Sequence, residues 1–159
     1  MLHIYKGLFF VLLIFATFSY AKGIIPKFEL KDENGKVITR EDLKGKPSVL
    51  IFWSLHCHSC KKELPIMNKF YKQYKDKVNF YAVVIDTSDP KKVKEKKKDW
   101  DFDIPVLLNG RDIMYKYRIF GVPITYFVNK DLTVYKITAG KVSEEKLNKI
   151  FEKFLQKNF

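Results

Sequence analysis

The sequence predicts an α/β fold in which helices flank a central mixed β-sheet, with an N-terminal β-hairpin as an extension. Three observations predict it: two continuous apolar runs typical of buried strands, a helical pattern after each run, and a pair of short strands near the C-terminus. Strands that alternate with helices favour parallel pairing, whereas a closing strand pair runs antiparallel, so the sheet is mixed. The 159 residues suit one domain with its own core.

The N-terminal residues have the pattern of an export signal. Lys6 supplies a positive charge, and residues 8–18 are apolar apart from one threonine. Ser19 and Ala21 then offer small side chains at the two positions that a signal peptidase reads. The apolar run of about 11 residues is shorter than the roughly 20 that span a membrane, although an uncleaved anchor is the alternative. We therefore expect a signal peptide or anchor at 1–21 and one domain at 22–159, located outside the cytoplasm, where disulfides persist.

Composition and charge narrow the class of protein. Hydrophobic residues make up 47% of the chain and aromatic residues 16%, which argues against disorder in the body of the chain. The formal charge is +12, and the densest lysine cluster, at 91–98, holds Val93 as its only apolar residue. Because no interleaved aromatic residues or docking motif accompany it, we interpret this cluster as the solvated face of a helix and expect no nucleic-acid binding.

The first predicted element is the hairpin. The short runs Phe28–Leu30 and Val37–Thr39 flank Asn34–Gly35, a dipeptide typical of tight hairpin turns. Residues 41–43 are expected to form a single helical turn.

Two strand–helix units follow. Val49–Trp53 and Phe80–Ile85 are apolar throughout, as in strands buried on both faces of a sheet. After the first run, apolar residues recur on one helix face; they are Leu64, Met67, Phe70, Tyr71 and Tyr74. After the second, Pro90 is placed to open the lysine-rich helix.

The last third is predicted to close the sheet. Residues 104–108 form a short strand or connector and residues 112–117 a short helix. Ile124–Val128 and Thr133–Thr138, separated by a turn, form an antiparallel pair. Ser143 caps a final helix, whose apolar face consists of Leu147, Ile150, Phe151, Phe154 and Leu155.

The chemistry is centred on the two cysteines, Cys57 and Cys60, which follow a predicted strand and open a predicted helix. On a first helical turn their sulfurs are close enough to form and break one bond, and the partial positive charge of the helix N-terminus stabilises a thiolate. We expect Cys57 to attack and the shielded Cys60 to resolve the mixed disulfide. An inert structural disulfide is the alternative.

Glu63 is a candidate for proton transfer. It lies three residues after Cys60, near the same helix face, and could move protons to or from that thiol. The alternative is an exposed partner for Lys61 or Lys62.

Histidines flank the first cysteine. His58 follows Cys57 and, when protonated, favours the Cys57 thiolate. His56 precedes Cys57. The alternative is that these histidines are solvent-facing spacers. Together with Cys60 these residues suggest copper(I) or zinc ligands. Because consecutive residues rarely reach one metal ion together, we assign no metal.

Two segments carry a resemblance to a known family. Phe52–Pro65 resembles the active-site segment of thioredoxin-like proteins of the TlpA/ResA type, which are extracytoplasmic thiol–disulfide oxidoreductases, and Phe120–Asp131 resembles their second signature. The resemblance extends from about Ile25 to the C-terminus and implies a thioredoxin-like fold.

The resemblance also implies roles for individual residues. Pro123 would follow a cis peptide bond facing the sulfurs, and the backbone of Val122 would pair with an extended substrate chain. Glu63 matches an active-site glutamate of the ResA-like branch. Ile51 stands where thioredoxin carries a buried aspartate, which favours Glu63 for proton transfer.

Two departures from the family concern redox tuning. His56 replaces a usual tryptophan, and the dipeptide His58–Ser59 replaces one that is often Pro-Pro or Glu-Pro. Because this dipeptide tunes the reduction potential, the direction of electron flow stays open.

The resemblance implies an enzyme that reduces disulfides in exported proteins, in the bacterial periplasm or at the outer face of the membrane. We expect it to be a monomer and to need no organic cofactor. Its substrate would be an apocytochrome c or a copper-site assembly protein, and a membrane partner would re-reduce it. The alternatives are a disulfide-forming oxidase and a copper chaperone that uses His56, Cys57, His58 and Cys60. A peroxidase is disfavoured because nothing resembles the Pro-x-x-x-Thr-x-x-Cys segment of such enzymes.

Overall fold

The computed structural model describes residues 23–159, so the predicted signal or anchor at 1–21 lies outside the described residues. The strands are Glu29–Lys31 (β1), Val37–Thr39 (β2), Ser48–Trp53 (β3), Asn79–Val84 (β4), Val106–Leu107 (β5), Ile124–Val128 (β6) and Val134–Ala139 (β7). The helices are His58–Tyr74 (α1), Pro90–Asp99 (α2), Arg111–Lys116 (α3) and Glu144–Asn158 (α4), with a 3-10 turn at Glu41–Leu43. Within 23–159, no helix has the length and apolar character needed to cross a membrane.

The main sheet has the strand order β5-β4-β3-β6-β7. β3 pairs in parallel with β4, and β4 with β5, whereas β3–β6 and β6–β7 are antiparallel. The predicted mixed sheet is therefore confirmed. All six residues of the central strand β3 are buried, which explains why its sequence is apolar almost throughout rather than alternating.

Side chains of β3 alternate between two layers of core. Val49, Ile51 and Trp53 pack under α1, α2 and α4, whereas Leu50 and Phe52 pack under the hairpin, the 3-10 turn and α3. The crossovers from β3 to β4 and from β4 to β5 contain α1 and α2, and buried residues of both helices pack in the same layer of core. This arrangement brings the N-terminus of α1 to the carboxyl end of the central strand.

The predicted N-terminal hairpin is confirmed as a separate two-stranded sheet. Its turn is longer than the Asn-Gly pair alone, because the carboxylate of Asp32 accepts hydrogen bonds from the backbone N–H groups of Asn34 (2.8 Å) and Lys36 (2.9 Å). Gly35 adopts a φ of 87°, which only glycine reaches without strain. The turn is therefore stabilised by the Asp32 side chain as well as by the predicted Asn34–Gly35 pair.

The lysine-rich helix α2 begins at Pro90, as predicted. The Asp89 carboxylate caps it by accepting a hydrogen bond from the Lys91 backbone N–H (2.9 Å), and Val93 is its only buried residue. Most of its lysines are solvated, whereas Lys97 forms a partly buried ion pair with Glu33 of the hairpin turn. The helix therefore also holds the hairpin against the domain.

Candidate redox-active site

The two cysteines lie where the central strand turns into α1. Cys57 caps the helix, and its sulfur accepts the backbone N–H of Cys60 at 3.1 Å. The structure joins the pair in a disulfide with a Cα–Cα distance of 5.2 Å. Cys57 is half-buried, whereas Cys60 is fully buried. The pair thus has one sulfur that a partner can reach and one that it cannot.

The position of Cys57 at the helix N-terminus affects the reactivity of its sulfur. Its unpaired N–H groups carry partial positive charge, which stabilises a thiolate on the capping sulfur. A thiolate on Cys57 is therefore both favoured and accessible. The buried sulfur of Cys60 reaches only its neighbour, so it suits an intramolecular attack on a disulfide formed by Cys57.

The turn between β3 and Cys57 is held by Asp86, at the end of β4. Its carboxylate accepts hydrogen bonds from the Ser54 hydroxyl (2.8 Å) and the Leu55 backbone N–H (3.1 Å). The Ser54 hydroxyl oxygen accepts the backbone N–H of His56 (3.2 Å), and the Ser54 carbonyl accepts that of Cys57 (3.2 Å). Three consecutive backbone N–H groups, up to and including that of Cys57, thus donate hydrogen bonds to Asp86 or Ser54.

The Val122–Pro123 turn faces the accessible sulfur. The Val122–Pro123 peptide bond is cis, as the resemblance implied. The carbonyl oxygen of Val122 lies 3.5 Å from the sulfur of Cys57, and the carbonyl of buried Pro123 accepts the backbone N–H of Gly140 at 2.8 Å. A backbone carbonyl group therefore borders the sulfur of Cys57.

Glu63 is fully buried, so the alternative of an exposed partner for Lys61 or Lys62 is wrong. One carboxylate oxygen accepts the backbone N–H of Val142 at 2.8 Å, and the other has no hydrogen-bond partner among the described residues. Burial raises the pKa of Glu63, and the Val142 N–H and the charge of Lys141 oppose that rise. A buried carboxyl with a raised pKa holds its proton to higher pH than an exposed one, which makes it a candidate for proton exchange.

Residues 140–142, between β7 and α4, link the parts of this site. Gly140 donates to Pro123, and Val142 donates to Glu63, which shares α1 with Cys60. The Val122–Pro123 turn and the buried carboxyl are thus tied to one short segment. A shift of this segment would move both at once.

The remaining predicted site residues are exposed. His56, His58 and Ser59 all point to solvent around the half-buried sulfur of Cys57. In the part of the chain that the structure describes, no three histidine, cysteine, aspartate or glutamate side chains are grouped to hold a metal ion.

Sequence reasoning missed two contributors to the site. Asp86 directly follows the predicted strand run Phe80–Ile85, and carboxyl ends of adjacent parallel strands meet at one edge of a sheet, so its proximity to Ser54 was predictable. Val142 acts through its backbone N–H, 79 residues from Glu63 in the sequence, and no side-chain signal marks it.

Comparison with known proteins identifies a matching family and similar curated proteins. Residues 22–137 match the AhpC/TSA family. The chain is 35% identical over 130 residues to the thiol-disulfide oxidoreductase ResA of Bacillus thuringiensis subsp. konkukian, covering 80% of this chain and 75% of that protein.

Solved structures show the same fold. The crystal structure of StoA from Bacillus subtilis superposes with a TM-score of 0.65 at 26% identity, over 79% of this chain and 96% of that one. A thiol:disulfide interchange protein of the thioredoxin family from Chlorobium tepidum has a TM-score of 0.73 at 20% identity, over 84% and 97% of the two chains.

Proposed function

The chain belongs to the AhpC/TSA family of thioredoxin-like proteins and is a thiol–disulfide oxidoreductase, and we propose that its Cys57–Cys60 pair reduces disulfides in exported proteins. The observation that carries the proposal is the difference in burial between the two sulfurs. The half-buried sulfur of Cys57 caps a helix, and the sulfur of Cys60 is fully buried behind it. This difference supports the proposal that the first cysteine attacks and the second resolves.

In the proposed reaction, the Cys57 thiolate attacks one sulfur of the substrate disulfide. A Cys57–substrate disulfide forms, the substrate S–S bond breaks, and the released substrate thiolate takes up a proton. The Cys60 thiol then gives up its proton and its sulfur attacks that of Cys57, releasing the second substrate thiol. Two electrons pass from the cysteine pair to the substrate, which leaves the pair as the Cys57–Cys60 disulfide.

The neighbouring residues supply protons and positions. We propose that Glu63 accepts the proton that the Cys60 thiol gives up. Both residues lie buried on α1, and one oxygen of the Glu63 carboxyl has no hydrogen-bond partner among the described residues. Val122 and Pro123 would present backbone groups to an extended substrate chain beside the accessible sulfur. The exposed residues His56, His58 and Ser59 would tune the reduction potential through their proximity to Cys57.

The proposed setting is the bacterial periplasm or the outer face of the membrane. The export pattern of residues 1–21 supports it. There the oxidised pair would need a dithiol of a membrane partner protein to reduce it again, in an exchange that runs the same two steps in reverse. By resemblance to the TlpA/ResA type, oxidised haem-binding thiols of an apocytochrome c are the proposed substrate, and the enzyme would act as a monomer.

The redox state of the pair in living cells tests the direction of electron flow. Cells are quenched in acid, and free thiols are alkylated with a mass-tagged maleimide. A reductase is kept reduced by its partner, so we expect most of the protein to carry two tags. A predominantly untagged, oxidised population would instead identify a disulfide-forming oxidase on the same fold.

A further inference from the structure

Phe120 is the most exposed large apolar side chain in residues 23–159. It is 92% exposed, whereas the next, Phe159, is 70% exposed. Single exposed apolar residues are common, so exposure alone assigns no role. Position distinguishes this one, because it lies two residues before Val122, whose carbonyl oxygen is 3.5 Å from the Cys57 sulfur.

The fold keeps this aromatic ring facing outward. On one side, Ile119 is buried and its backbone N–H donates to the Met114 carbonyl at 2.9 Å. On the other side, the buried Pro123 is tied to Gly140 at 2.8 Å. Turning the Phe120 ring inward would draw Ile119 out of the core. The backbone that carries the ring is therefore anchored on both sides, and the ring itself projects into solvent.

The backbone around the ring is also open to a partner. Among the described residues, the N–H groups of Phe120, Gly121 and Val122 donate no hydrogen bond. Exposed backbone groups of this kind pair with water or with an extended chain. Gly121 has no side chain to block such a chain, so a polypeptide that pairs here would pass across the ring.

We propose that Phe120 is a specificity-determining contact, which binds an apolar side chain of the substrate polypeptide near the cysteine under attack. This inference rests on the proposed function. The path from the Phe120 Cα to the Cys57 sulfur runs over two Cα–Cα steps, the Val122 carbonyl and the 3.5 Å contact. The Phe120 Cα therefore lies within about 14 Å of that sulfur. An extended chain advances about 3.3 Å per residue, so the substrate side chain lies within about four positions of its cysteine.

The test compares three disulfides as substrates of the reduced protein. Two are peptide disulfides that differ only in carrying leucine or serine three positions from the cysteine, and the third is oxidised β-mercaptoethanol. Single-turnover rates are measured against substrate concentration for the wild type, Phe120→Ala, Phe120→Leu and Phe159→Ala. Phe159 is a matched control because it is an exposed phenylalanine that packs over Lys130, at the opposite end of the sheet.

We expect the wild type to prefer the leucine peptide about tenfold, the size of one good apolar contact. Phe120→Ala should lose that preference through a higher half-saturating concentration with an unchanged maximal rate. Its rates on the serine peptide and the small disulfide should not change. Phe120→Leu should keep most of the preference, and Phe159→Ala all of it.

Three results would overturn the inference. In the first, the wild type reduces both peptides equally. In the second, Phe120→Ala keeps the wild-type preference for the leucine peptide. In the third, Phe120→Ala reduces all three disulfides more slowly by the same factor, as general damage to the site would. If the Phe120→Ala protein fails to fold, the leucine variant and the comparison of peptides on the wild type still decide the matter. A wild type that reduces none of the three disulfides would refute the proposed function and the inference with it.

Discussion

Replacing Cys57 with serine is expected to reduce the rate of disulfide reduction by more than about a thousandfold, as removal of a covalent nucleophile does in other enzymes. The half-buried sulfur at the N-cap of α1 is the one that a substrate disulfide can reach, since Cys60 is fully buried. A serine hydroxyl stays protonated at neutral pH and cannot exchange with a disulfide. Insulin reduction, followed by turbidity, measures the loss, and residual activity near that of the wild type would contradict the assignment.

The matching variant Cys60→Ser should stop the reaction halfway. Cys57 still attacks, but no second thiol is present to resolve the mixed disulfide, so a covalent protein–substrate adduct accumulates. The adduct is detected as a band of higher mass on a non-reducing gel and should disappear with a reducing agent. The double variant Cys57→Ser/Cys60→Ser is the control that should form none. Adducts that persist in that control would show that the trapping does not pass through Cys57.

Glu63→Gln is expected to slow turnover by roughly a hundredfold, the usual contribution of one general acid or base. Glutamine keeps the size of the side chain and an oxygen that can accept the Val142 N–H, but it cannot carry a proton to or from Cys60. The pH–rate profile should therefore lose the limb that this carboxyl contributes. The exposed Glu152→Gln on α4 is the control. A profile identical to the wild type would make Glu63 a structural residue only.

The same substitution should change how stability depends on pH. Burial raises the pKa of Glu63 above its usual 4.5, so the folded state holds this proton more tightly than the unfolded chain. The stabilisation by this proton is fully present below the usual pKa of 4.5 and is lost as pH rises through the folded pKa. Over that range the free energy of unfolding falls by up to about 1.4 kcal/mol per pH unit. Glu63→Gln should remove this loss and be the more stable protein at neutral pH. Urea unfolding of the oxidised forms at several pH values measures the difference.

Most elements could be predicted from local pattern alone. The strand Ile124–Val128 agrees with its predicted bounds, and Ser143 caps α4 as its position ahead of two glutamates indicated. The placement of the two cysteines also followed from the change of period after the apolar run of β3. In these segments neighbouring residues decide the structure, so the sequence is sufficient.

Contacts between distant segments could not be predicted in the same way. The burial of Glu63 depends on the backbone of Val142, and the outward position of Phe120 depends on how Ile119 and Pro123 are anchored. No periodicity or motif encodes which loops meet above a sheet. The resemblance to the TlpA/ResA type named Glu63 and Pro123 as site residues, but only the structure places them on either side of residues 140–142.

The reduction potential of the purified domain tests the proposed reductase most directly. The domain is equilibrated with thiol–disulfide buffers, and the free cysteines are alkylated and counted by mass. We predict a value near roughly −270 mV or lower, as for thioredoxin, which makes the pair a donor of electrons to other disulfides. A value near about −120 mV would contradict the account, because such a pair passes its disulfide to folding proteins.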